Sequence, residues 1–428
     1  MNKQTIIVIL LLLIQPIIMA QTDSSSLLIN IDSVINISKA HSHLIKKYSQ
    51  DLNKTRAGLI QAKEWYFPTI YAGAMLHQLH GASMNADGKF YTDVDRKNTW
   101  AGIGANLEWD PGKSSIMVAA IKKRLKSDEY SFRAFTNELI LNNIEVYLKY
   151  KKQLAVVKSV ISINNVSEKI VKQILIQVKA GKRYKSDLLM AKTNHRHFSI
   201  MLVNAEKELK NLEHDLSLGL NIDDGQKLLL EDTLLREINE LVNLDALAYK
   251  NRPELKSRIE TISSLQKEKL TQSLGLFIPA LRLNAYQSVF GDIDTDLYNT
   301  NELNTALLWR FSLSDIFSRG KLKSYNAGIK GQIDQLNYLD DKYRSELLKH
   351  YNAWVSSKSS TSISREALGF AQESMDQTIA RQALRTAKPF EVYQAQEYLL
   401  RAQMDYFQSV YENNLSYYFL KLSLGNSF

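Results

Sequence analysis

Trp100-Ala101-Gly102-Ile103-Gly104-Ala105-Asn106-Leu107-Glu108-Trp109 is followed, after Pro111-Gly112-Lys113, by residues from Ser114 to Ala180 without a proline or glycine. These two stretches decide the fold. In the first, Ala101, Ile103, Ala105, Leu107 and Trp109 share one face, and Gly102, Gly104, Asn106 and Glu108 the other. That is the period of two of a strand, over the roughly ten residues a tilted strand needs to cross a bilayer. An ordinary soluble sheet with one wet face would alternate in the same way. The second stretch, unbroken over 67 residues, predicts a helix on the order of 100 Å long.

After Gly181 a second helix returns, with Ala191, His195, Phe198, Leu202, Ala205, Leu209, Leu212 and Leu216 at alternating spacings of four and three. This is a coiled-coil heptad. His195 reads as a packed or water-facing seam residue. Later in the chain a long helix follows Gly320, and a return helix carries Leu399, Ala402, Tyr406, Val410, Tyr417, Leu420 and Leu424. Helices of this length do not fit inside a compact globule and form a rod or tube.

The plan occurs twice. Phe67-Pro68 returns as Ile278-Pro279, Pro111-Gly112-Lys113 as Arg319-Gly320-Lys321, and Leu218-Gly219 as Leu424-Gly425, at offsets of 211, 208 and 206. Ordered landmarks at a nearly constant offset of about 208 residues indicate internal duplication. Each copy predicts two strands. In the first copy they are Thr69 to Leu79, apolar on both faces, and Trp100 to Trp109. In the second they are Leu281 to Tyr286 and Leu307 to Leu313. The polar segments Gly81 to Asn98 and Gly291 to Asn301 between them read as exposed loops.

Met1 to Ala20, MNKQTIIVILLLLIQPIIMA, reads as a secretory leader cleaved after Ala20. A retained anchor is the alternative, but Gln15-Pro16 breaks the apolar run short of a span. The expected organisation is a leader at 1–20, a first repeat at 21–220, an equatorial linker at 221–250 and a second repeat at 251–428. The 428-residue chain has 45% hydrophobic residues, only 17 Gly and 6 Pro, and no Cys. Few breakers mean few, long elements. The absence of Cys excludes disulfides, thiolate metal sites, Cys nucleophiles and a lipid-modified N-terminal Cys. The net charge of +9 is spread along the chain, which argues against a nucleic acid partner.

Four strands per chain cannot close a transmembrane barrel, and an open edge in lipid leaves backbone groups unpaired. Membrane strands in this chain therefore require an oligomer that pools them.

Several motifs resemble those of the TolC-like outer membrane efflux proteins. Asn251-Arg252-Pro253-Glu254-Leu255 is similar to the family's RPEL signature, and Ile316-Phe317-Ser318-Arg319-Gly320-Lys321 to its strand exit. Ala180-Gly181 with Asp187-Leu188-Leu189 and Ala191 looks like its hairpin tip, and Leu218-Gly219-Leu220 like the start of its equatorial region. The resemblance implies a mainly α protein with a small β part. In it, long antiparallel coiled-coil hairpins form a periplasmic tunnel, and four strands per chain join a trimeric twelve-stranded outer membrane barrel. It also implies a passive exit duct served by a periplasmic adaptor (membrane fusion) protein and an inner membrane pump, embedded in outer membrane lipid.

By the same resemblance, adaptor docking falls on Ala180, Gly181 and Lys182 of the first tip, and on Leu384, Arg385 and Thr386 of the second. The second tip lacks the family's glycine, and Pro389 starts its return helix instead. Glu391 matches an acid that rings the closed aperture, with Gln394 where a second acid often stands. Asp187 is the matching acid of the first tip, expected to pair with Arg385 or Lys388. Alternatively, both acids are solvated first-turn charges favoured by the helix dipole. Among the 21 tyrosines and five tryptophans, Trp65, Tyr66, Tyr71, Trp100, Trp109 and Trp309 suit interfacial belts or ordinary strand propensity.

Catalytic, metal and cofactor sites are not expected. His41-x-His43 and His195-x-His197 diverge on a helix, and His77 and His80 fall on opposite faces of a strand. Asp292-Ile293-Asp294-Thr295-Asp296 lacks the glycine and terminal Glu of an EF-hand loop. HExxH, phosphate-cradling loops and GxSxG are absent. The competing class is a soluble periplasmic coiled-coil adaptor or scaffold, which needs no lipid-facing strands. A secreted pore-forming toxin is disfavoured by the duplication.

Overall fold

The computed structural model describes residues 27–222, 228–230, 238, 245, 247–272, 277–292, 294–310, 313, 317, 319–384, 386–426 and 428. The expected leader, most of the equatorial linker, Phe311 and Arg385 lie outside them. In chain order the elements are β1 (Leu27–Ile29), α1 (Ile31–His41), α2 (His43–Lys63), β2 (Thr69–Met84), β3 (Phe90–Trp109), α3 (Pro111–Lys179) and α4 (Lys185–Leu220). They continue with β4 (Leu228–Leu230), α5 (Pro253–Thr271), β5 (Ala280–Asp292), β6 (Leu297–Leu308), α6 (Gly320–Ala383) and α7 (Pro389–Ser423). The order helix, strand hairpin, long helix, shorter return helix thus occurs twice.

The helix boundaries follow from local chemistry. Asp110 accepts the Lys113 N–H at 2.9 Å and Pro111 supplies the fixed φ of a first helical residue, so α3 begins there. It then runs 69 residues, as its lack of breakers predicts. It ends at Gly181, whose φ of +69° suits a residue without Cβ. The Gly181 N–H donates to the Val178 carbonyl at 3.0 Å and that of Lys182 to Gln177 at 2.8 Å, the paired bonds of a Schellman stop.

The chain divides into two compact units. One comprises Met1–Ser42, Asn142–Ile238 and Ser357–Leu415. Its core is the predicted seam. Ala191, Phe198, Ala205 and Leu216 are buried, and His195, Leu202, Leu209 and Leu212 are half-buried. Phe198, fully buried, shares one core cluster with Val160, Ile163, Met375, Leu399 and Leu400, so residues of α3, α4, α6 and α7 pack into a common core. Buried hydroxyls add specificity between α6 and α7. Thr361 donates to the Ser357 and Ser409 carbonyls at 2.8 and 3.2 Å.

The other unit comprises His43–Leu141, Asn239–Ser356 and Ser416–Phe428. It holds an antiparallel sheet in the order β2-β3-β5-β6 and the helices beside it. Arg252, the arginine of the RPEL-like motif, is a buried junction here. It bonds Glu254 at 2.7 Å and Glu346 at 3.1 Å, and its guanidinium lies 3.8 Å from the Tyr343 ring centre. Burial and the Glu254 carboxylate push the Tyr343 hydroxyl up to about 12. Nearby, His350 Nδ1 lies 2.5 Å from Ser423 Oγ, and burial lowers the imidazole pKa.

Three strand expectations need correction. The segment Gly81 to Asn98 is mostly strand, with its turn at residues 85–89. Likewise β5 runs on to Asp292 and β6 starts at Leu297, so the second connection is short. The fourth strand ends at Leu308 and begins ten residues before Leu307. The missed outer parts share one cause: where both faces of a strand are polar, as at Tyr298 to Glu302 of β6, hydropathy does not alternate and the ladder leaves no periodic trace.

Candidate functional site

Register sorts the sheet into two chemically different faces. One carries Ile70, Ala72, Ala74 and Leu76 of β2 opposite Ala105, Ile103, Ala101 and Thr99 of β3. Leu281, Leu283 and Ala285 of β5 stand opposite Trp109, Leu107 and Ala105, and Leu303 and Leu307 of β6 opposite Ala285 and Leu281. This face is open: Ile70 is 78% exposed, Leu303 71% and Ile103 60%. A contiguous exposed apolar surface of this kind marks an interaction site. Trp109 stands at one end of it, with the Trp65 ring stacked 6.2 Å away. Toward the other end the face turns polar on β2 and β3, where Gln78 pairs with Lys97 and His80 with Asp95. On β6 it turns polar sooner, at Asn301 and Asn299, while on β5 Gln287 interrupts it before Val289.

The apolar band therefore runs obliquely. On β2 it centres opposite Gly102 of β3, and on β6, through β5, opposite Leu107. That displacement of five residues is about 17 Å along the strands, accumulated over three strand spacings of about 14 Å. A band perpendicular to some external axis would then cross strands tilted by about 50° from that axis.

The opposite face is polar. Glu108 receives Arg282 at 3.1 Å and Arg310 at 2.6 Å. The Tyr286 hydroxyl donates to Glu302, and Trp100 lies edge-on to Tyr286 at 6.3 Å. Tyr71 lies over Gly104, where a Cβ would overlap its ring. Glycine at 104 lets an aromatic side chain lie flat on the sheet.

In the helical unit the two hairpin tips meet. Leu188 and Ala191 of the first pack with Ala387 and Val392 of the second, over Ile170 and Ile174. Ala180 and Lys182 are exposed beside Gly181. Leu384 is 75% exposed. The second tip closes without glycine among its described residues: the Thr386 N–H and hydroxyl both donate to the Arg381 carbonyl, at 2.9 and 3.1 Å. Glu391 caps α7, accepting the Lys388 N–H at 3.2 Å, and pairs with Arg381 at 2.9 Å. Asp187 has Arg183 as its ion-pair partner, at 3.8 Å, rather than Lys388. Arg385, the other expected partner, lies outside the described residues.

Arg183 is the residue that sequence reasoning missed. Its side chain is 11% exposed. It donates through Nη2 to the Ala387 carbonyl at 2.9 Å and to Gln382 Oε1 at 3.3 Å. It thus ties one tip to the other across 204 residues of sequence.

No protein-family model matches the chain, and no curated protein matches it. Solved structures do. The CmeC outer membrane channel of Campylobacter jejuni superposes with a TM-score of 0.79 at 14% identity, over 92% of this chain and 85% of that one. VceC, an outer membrane protein of Vibrio cholerae, gives 0.75 at 15% identity over 93% and 96%. The open state of the Neisseria gonorrhoeae MtrE outer membrane channel gives 0.76 at 12% identity over 92% and 89%. At these identities the likeness is one of fold. The chain has the TolC-like fold that its motifs predict.

Proposed function

We propose that this chain is one protomer of an outer membrane exit duct of a tripartite efflux or type I secretion system. The observation that carries the reading is the oblique apolar band. Its slope implies strands tilted by about 50°, near the 35–45° of transmembrane barrels, and a soluble sheet has no need of such a band. With the apolar face toward outer membrane lipid, the polar face of Glu108, Arg282, Asn284, Tyr286 and Glu302 lines a lumen.

In the sheet order, β2 and β6 are edge strands. Unpaired edges are forbidden in lipid, and three copies pooling four strands each make a closed barrel of twelve. The reading thus requires a homotrimer. Long helices from both repeats would continue the duct into the periplasm. Their tips, at Ala180, Gly181 and Lys182 and at Leu384, Arg385 and Thr386, would receive a periplasmic adaptor working with an inner membrane pump. The duct conducts passively and catalyses nothing. Three copies of Glu391 would ring the aperture, each carboxylate paired with Arg381 in the structure, and would favour cations where that pairing opens. Asp187 and Lys388 would belong to the same rim, as would Arg385 by the resemblance, and Arg183 would help hold it shut.

Reconstitution into planar bilayers tests this proposal. Discrete, cation-preferring current steps are expected. Absence of currents from protein that disperses without detergent would favour a soluble coiled-coil adaptor or scaffold.

A further inference from the structure

We propose that Gly104 sets the size limit of the barrel passage, by letting the Tyr71 side chain lie flat on the lumen wall instead of standing in the way. This rests on the duct reading, which makes the polar face of the sheet the lumen. Side chains of a strand ordinarily stand roughly perpendicular to the sheet, so a lumen-facing aromatic residue would point into the passage. Tyr71 does not. In register it faces Gly104 of β3, which in turn faces Tyr286 of β5. A Cβ at Gly104 would overlap Cζ, Oη and Cε1 of Tyr71. The far end of the phenol therefore sits over the next strand, about 4.8 Å away, and the ring runs along the wall.

The adjoining rung shows the same low packing. Gly102 and Ser288 face each other there, and Trp100 and Phe290 face each other one rung further out. A Cβ at Gly102 would overlap the Ser288 backbone, so the two strands approach closely. Trp100 and Tyr286, on either side of that rung, meet edge-on with ring centres 6.3 Å apart. Ser288 lies between them in register and is only 4% exposed, and its buried hydroxyl oxygen has no hydrogen-bond partner among the described residues. A hydroxyl on a wall beside water stays unhydrated only where neighbouring rings lie over it, and leaving it so is unfavourable. These contacts join β2, β3 and β5 of one protomer and do not depend on how copies meet.

Twelve strands about 4.8 Å apart, tilted by about 50°, close on a circle about 28 Å across between backbones. A ring lying flat takes from this little more than its thickness, about 3.5 Å. Raised to its full length at three points around the circle, the same ring becomes the constriction. Any side chain at position 104 would raise it.

The chain has no cysteine, so one introduced thiol reports alone. Asn284→Cys places it on the rung of Asn106, one rung closer than Gly104 to the Trp109 end from which α3 leaves the sheet. Maleimide–polyethylene glycols of graded size, added outside intact cells, must pass Tyr71 to reach it, and labelling up to a cut-off size is expected. Gly104→Ala in this background should lower the cut-off and slow the largest admitted reagent at least fivefold, with the smallest maleimide reacting as before. Adding Tyr71→Ala should restore the cut-off. Tyr71→Ala alone should raise it by no more than a ring's thickness, a test that holds even if Gly104→Ala does not assemble.

An unchanged cut-off in Gly104→Ala, or a lowered one that Tyr71→Ala does not restore, overturns the role of Gly104 and spares the duct. A large rise with Tyr71→Ala alone means that the ring stands in the passage, and also overturns it. A thiol at position 284 that no maleimide reaches in the assembled protein takes the polar face out of the lumen, and the duct reading falls with the size limit.

Discussion

The Arg183 guanidinium donates to the Ala387 carbonyl at 2.9 Å, so one side chain fastens the tip of the first helical hairpin to the start of the second return helix. The bond is largely sheltered from water, and charge-assisted bonds of this kind are worth about 1.5–3 kcal/mol. Arg183→Ala should speed amide exchange around residues 180–191 and 384–392 without changing exchange in the Phe198 core. Unchanged exchange at both tips would remove Arg183 as their fastener.

Glu391 both caps α7 and neutralises Arg381. Glu391→Ala should raise leak conductance or relax cation preference in bilayers. Loss of the cap itself should cost about 1 kcal/mol in stability, so Tm is measured alongside. Unchanged currents would take Glu391 out of the aperture.

Phe198 lies in the core cluster to which both hairpins of the helical unit contribute. Phe198→Ala should cost about 3–5 kcal/mol, read as a large fall in Tm. His195→Ala, on the half-buried flank of the same seam, should cost much less.

His350 supplies a pH dependence of stability. Burial lowers its pKa in the folded protein, so below the unfolded value of about 6.5 the unfolded chain binds more protons. Stability is then full above about pH 6.5 and falls as the pH drops through the lower folded value. Tm measured from pH 8 to 5 should show this decline, and His350→Gln should flatten it. An equal decline in both would assign the effect to other groups.

How legible the sequence was varied with the physics of each element. The α4 seam was readable because a heptad repeats one buried face, and residues from Ala191 to Leu216 fall on it as predicted. The ends of α3 were readable because Pro111 and Gly181 act locally. The outer parts of β2, β3 and β6 were not, since a strand wet on both faces has no hydropathy period. Arg183 was invisible for another reason: the groups it binds lie in the opposite half of the chain, and no local pattern brings position 183 to 387. The slope of the apolar band likewise needed the strand register.

The central claim is that the sheet's apolar face is made for lipid and completed by other copies. The most direct test is the mass of the purified protein with and without detergent. A species of about three chains that needs detergent to stay dispersed is expected. A monodisperse monomer or dimer in plain buffer would contradict it.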